Sequence, residues 1–125
     1  MIMKTRPVFV SILIVAALFV ACQKEHFKPQ SAPTGTMSFA TNILPIFTTC
    51  YGSGCHSGSQ APDLIAANAY SSLVDGGYVD TVNADQSISY KRISATTGYM
   101  PPSGKLSGDK IGMILLWIKQ GAHNN

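Results

Sequence analysis

Apolar residues in this chain fall into one nearly continuous run and two stretches spaced like helix faces, with polar loops between them. The run is Val8 to Ala21, fourteen residues broken only by Ser11. Further on, Phe39, Ile43, Ile46, Phe47 and Cys50 follow one another at steps of four, three, one and three, which is a single helical face. Pro45 lies within that stretch, so the helix either kinks there or starts near Asn42 and holds the proline in its first turn. Near the other end, Ile111, Ile114, Leu115 and Ile118 make a stripe that Met113, Leu116 and Trp117 widen. Ser107 suits the N-cap of that helix, which would run from Gly108 to about Gln120 and end at Gly121. Two shorter helices are expected between them: Ala66 to Val74, closed by Gly76-Gly77, and a turn over Ile88 to Ile93. Residues 52–63 have loop composition, 78–87 have no clear period, and 96–104 (TTGYMPPSG) are stiffened by a proline pair. With no convincing strand and no internal repeat, the pattern predicts an all-α protein.

The first apolar run is too short to cross a bilayer, which takes about 20 residues. Lys4 and Arg6 precede it, as in a secretion signal. Leu18-Phe19-Val20-Ala21-Cys22 resembles a bacterial lipobox, in which Cys22 is acylated and becomes the new N-terminus. An ordinary cleaved signal and a short uncleaved anchor are the alternatives. Each acyl methylene buried in the bilayer adds about 0.8 kcal/mol, so two or three chains anchor stably. The expected organisation is a signal over 1–21, a polar Pro/Ser/Thr-rich tether over 22–37 and one domain over 38–125. The protein would be an exported cell-envelope lipoprotein, periplasmic or surface-exposed.

Charge then excludes a class of partner. The full chain has nine basic and six acidic side chains, but two of the basic ones are in the leader, leaving a mature net charge near +1. Neither nucleic-acid nor membrane-surface binding follows from that balance. A mature chain of about 100 residues buries only a modest core by itself, and a large apolar prosthetic group would extend it.

The three cysteines supply the candidate chemistry. Cys22 would take lipid. Cys50-Tyr51-Gly52-Ser53-Gly54-Cys55-His56 has two thiols and an imidazole directly after the second, the arrangement that bonds a haem through two thioethers and ligates its iron. Four residues separate the cysteines here, against the usual two; Gly52 and Gly54 accept positive φ and allow the longer spacer to bulge. A small disulfide between Cys50 and Cys55 is the plain alternative, and it leaves His56 unexplained. The Pro62 carbonyl suits the second ring N–H of His56. Candidates for a sixth iron ligand are Met100, Met113, Met37, His26 and His123, with Met100 best placed on its proline-braced loop and His123 in a tail expected to fray. Leu64, Leu73, Leu106 and Trp117 are candidates for the apolar wall of the pocket, with ordinary core packing the competing reading. Lys91, Arg92, Lys105 and Lys110 bracket the Met100 loop and suit an acidic redox partner, solvated surface charge being the commoner explanation.

The order of these stretches resembles the class I cytochrome c family: Ile43–Phe47 (Ile-x-Pro-Ile-Phe read with its neighbours), Cys50–His56, Met100–Leu106 (Met-Pro-Pro-x-Gly-x-Leu) and Trp117–Ala122. It looks most like the small exported or lipoprotein monohaem domains of Bacteroidetes and planctomycete type, and the matching stretches frame nearly all of residues 38–125. The resemblance implies a cytochrome c fold, a small helical domain wrapped around one haem c. It also implies thioethers at Cys50 and Cys55, His56 and Met100 as axial ligands, and electron transfer to partner proteins without substrate turnover. Two other classes stay open: a haem sensor or enzyme with a displaceable sixth ligand, and a zinc or copper site using Cys50, Cys55 and His56.

Overall fold

The computed structural model describes residues 32–125; the leader, Cys22 and His26 lie outside them. The described residues are helical, with no strand among them.

The first apolar face belongs to a helical segment that changes pitch twice. A wide π turn over Phe39–Ile43 leads into a 3-10 stretch, Leu44–Phe47, and then into α1, Thr48–Tyr51. Pro45 stands in the opening turn of the 3-10 stretch, where a residue without an N–H costs no helical bond. The sequence's two alternatives, kink or late start, are thus resolved as a change of helix type around the proline. The face survives it: Phe39, Ile43, Ile46, Phe47 and Cys50 are all buried.

α2, Ala69–Val74, starts three residues later than its pattern suggested. Residues 66–68 form a turn instead, with the Asn68 amide donating to Asp63 Oδ2 at 2.7 Å. Gly77 closes the helix at φ +75°, and the Tyr78 N–H reaches back to Leu73 O. The connector to α3, Ile88–Ser94, owes its order to polar bonds. Ser87 is buried, its Oγ accepting from the Asp80 N–H at 2.8 Å, and Asp80 Oδ1 accepts from the Val82 and Asn83 N–H groups. Those backbone donors hold the Asp80 carboxyl below the usual aspartate range.

α4, Gly108–Lys119, is the expected C-terminal helix, although the Ser107 hydroxyl at its N-cap makes no capping bond. Its buried centre differs from the expected stripe. Ile114, Trp117 and Ile118 are fully covered, while Ile111, Met113, Leu115 and Leu116 remain half-buried. Trp117 packs against Phe39, ring centroids 5.3 Å apart, and Phe39 meets Tyr70 edge-on at 5.2 Å, so three helical segments share one aromatic cluster.

Both ends of the described chain are tied down. The expectation that the tail frays is corrected: Trp117 Nε1 donates to His123 O at 3.0 Å, and Tyr70 Oη donates to Ala122 O at 3.0 Å. Asn125 then accepts from the Phe39 N–H through its side chain and from the Ala40 N–H through its main-chain oxygen. At the other end, Met37 is buried, its N–H bonded to Gln120 Oε1, and the Gln120 amide donates to Gly35 O. Pro33 lies so close over Gly112 that a Cβ there would come within 3.0 Å of the ring. Residues 33–37, expected to be tether, lie against α4 and its C-cap Gln120.

Candidate haem-binding site

Cys50 lies near the end of α1 with its side chain in the core, and Cys55 lies on the surface five residues on; both are free thiols. Burial pushes the Cys50 thiol up, against a smaller lowering by the Thr49 hydroxyl, and the nearby Cys55 raises it further. The intervening loop closes when the His56 N–H donates to Cys50 O at 3.2 Å. Gly54 makes this closure possible at φ +77°, where a side chain would be strained, whereas Gly52 sits at φ −61° and needs no special freedom. Only one of the two spacer glycines is therefore used as the sequence reading supposed.

His56 is fixed at several points. Its carbonyl accepts from the Leu64 N–H at 2.8 Å. Its Nδ1 lies 3.0 Å from Pro62 O and 3.3 Å from Gln60 O. Carbonyls only accept, so Nδ1 carries the proton and donates to both. Among the described residues Nε2 takes no hydrogen bond, and in this tautomer it keeps its lone pair for a metal. The Gln60 contact was not foreseen from the sequence, since a main-chain acceptor leaves no mark in residue type.

Leu64 is buried and anchors the far end of this loop to the core. Trp117 belongs to the aromatic cluster with Phe39 and Tyr70. Leu73 is buried and Leu106 half-buried against the same core.

Met100 is half-buried, and its loop is fastened to α3 by hydrogen bonds: the Met100 N–H donates to Arg92 O at 2.9 Å. Of the other candidate iron ligands, Met37 is engaged in the core and His123 is exposed in the tied tail. Met113 is half-buried on α4.

Two observations test whether these residues suit a haem. The donor set is right in kind: two unpaired thiols followed by an imidazole whose proton is committed to carbonyls. The second is the stock of apolar side chains left half-buried around the core, among them Tyr51, Leu106, Ile111, Met113, Leu115 and Leu116, any of which would gain from a further apolar surface laid over it. For a small ion the arrangement is poor, since no three His, Cys, Asp or Glu side chains converge among the described residues. A cleft of about 340 Å³ lies elsewhere, lined by Thr81–Gln86 and Lys119, and is more polar than apolar.

No protein-family model, curated protein or solved structure matches the chain.

Proposed function

We propose that this protein carries electrons on one haem c, bonded through Cys50 and Cys55 and ligated by His56 and Met100, in a cytochrome c fold anchored to a membrane by acylated Cys22. The observation that carries the reading is His56: its Nδ1 proton is donated to Pro62 O at 3.0 Å, its backbone is fixed on both sides, Nε2 takes no hydrogen bond among the described residues, and the residue follows the second of two unpaired thiols in the chain. When bound, the group supplies a one-electron ferric/ferrous couple.

The chain's own residues account for the rest. Cys50 and Cys55 offer thiols at two depths, one within the core and one at its edge. The Pro62 and Gln60 carbonyls orient the His56 ring and raise its basicity as a ligand. Met100 offers a thioether, which favours the reduced state relative to a second imidazole. Leu106, Ile111, Leu115 and Leu116, half-buried against the core, are apolar side chains available to cover the group and keep water from it. Electron transfer of this kind calls for redox partner proteins outside the cytoplasm.

Visible spectroscopy on the full chain, matured by a c-type haem attachment system, tests the reading. Absorption that survives acidified-acetone extraction shows covalent attachment, and a ferric sulfur-to-iron charge-transfer band that disappears in Met100→Ala shows the sixth ligand. A colourless product with both thiols free overturns the proposal. A high-spin ferric spectrum in the wild type moves the protein to the sensor or enzyme class.

A further inference from the structure

The loop that bears Met100 has a fastening that its sequence reading assigned to another role. α3 ends at Ser94, and the last carbonyls of a helix have no partner within it. Lys105 supplies one: its Nζ donates to Ser94 O at 3.1 Å and to Ala95 O at 2.9 Å. The same ammonium lies 5.9 Å from the centre of the Tyr99 ring, the residue before Met100. Loop residues 96–104 thus leave α3 at Ala95 and are brought back to it by the side chain that follows them. Inside the loop, the Met100 N–H bonds to Arg92 O at 2.9 Å and the Gly104 N–H to Pro101 O at 3.2 Å. Among the described residues Lys105 supplies the only side-chain hydrogen bonds of this closure; the other two links are main chain to main chain.

We propose that Lys105 is a positioning residue for the Met100 thioether, holding the 96–104 loop closed on the end of α3 so that the sulfur stays at its working place. This rests on the ligation proposed above. It assigns Lys105 a structural duty in place of steering a partner. Lys91, Arg92 and Lys110 are exposed and make no side-chain hydrogen bond or ion pair among the described residues. The bonds to Ser94 and Ala95 face solvent, so the clamp tunes how often the loop opens and does not decide whether the domain folds.

The test is the rate at which imidazole, a neutral ligand, replaces Met100 on the ferric iron of the full matured chain, followed by loss of the sulfur-to-iron band. Lys105→Met keeps the length of the side chain and removes the donors. The expected result is replacement about three to ten times faster, the size of one or two charge-assisted bonds at an exposed site. Lys105→Arg, which can donate to the same two carbonyls, should restore most of the slow rate. Lys110→Met, which removes an equal charge without removing either bond, should leave the rate unchanged. Equal rates in wild type and Lys105→Met overturn the clamp, as does an equal acceleration in Lys110→Met. Absence of the band from the wild type overturns the ligation itself, a separate failure.

Discussion

His56 Nδ1 lies 3.0 Å from the carbonyl oxygen of Pro62, six residues further along the chain. That contact gives a histidine in a glycine- and serine-rich loop a fixed ring orientation. It fixes the tautomer, so the basic nitrogen is the one pointing away from the carbonyl, and it ties the ring to the segment entering Leu64.

The first prediction separates ligation from attachment. His56→Ala leaves Cys50 and Cys55 in place, so the chain should keep a covalent haem that remains with it on a denaturing gel. It should lose the low-spin spectrum, and added imidazole should restore it. Loss of covalent haem together with the spectrum would mean that His56 is needed for attachment itself.

A second prediction concerns the thiols before attachment. Cys50 is buried and its thiol is pushed up, whereas Cys55 is exposed. The thiolate is the reactive form, so in the reduced, haem-free chain Cys55 should be alkylated first, with Cys50 slower by about tenfold or more near pH 8. Raising the pH populates the Cys50 thiolate and should narrow the gap. Mass spectrometry of timed iodoacetamide reactions reads both sites, and the matured protein should be modified at neither. A pH-independent gap would assign the protection of Cys50 to access alone.

Much of the fold was legible because it rests on spacing. The buried face Phe39, Ile43, Ile46, Phe47 and Cys50 is a helical repeat that persists even where Pro45 forces a change of pitch. The His56–Pro62 contact was legible from chemistry, since a metal-ligating imidazole needs an acceptor for its other proton. What escaped was held by polar side chains and main-chain oxygens. The 78–87 connector is ordered by Ser87 and Asp80, a pairing without any period. Lys105 looked like surface charge because nothing in residue type shows that helix carbonyls lie within its reach. Met100 stood out by its proline-braced loop, yet the bond that holds it, to Arg92 O, is between backbone atoms and carries no sequence signal.

The C-terminal tail gives the last prediction, because its contacts join the two ends of the described domain. Phe39 and Ala40 open the first helical segment, where backbone N–H groups have no partner within the helix. Asn125 provides partners from across the fold: its Oδ1 accepts from Phe39 at 2.9 Å and its main-chain oxygen from Ala40 at 3.0 Å. Asn125→Ala removes only the first, and should cost about 0.5–1.5 kcal/mol, the range of a helix cap or a single hydrogen bond. Trp117→Phe acts further in. It deletes the Nε1 bond to His123 O and part of the contact with Phe39, and should cost about 2–3 kcal/mol, more than the cap and less than truncation to alanine. Because both residues hold the same tail, the costs should fall short of additive in the double variant, by about 0.5 kcal/mol or more. Urea unfolding of the single and double variants measures this. Full additivity would mean that the tail's two anchor points act independently, and that the chain ends are held by two separate contacts in place of one cooperative latch.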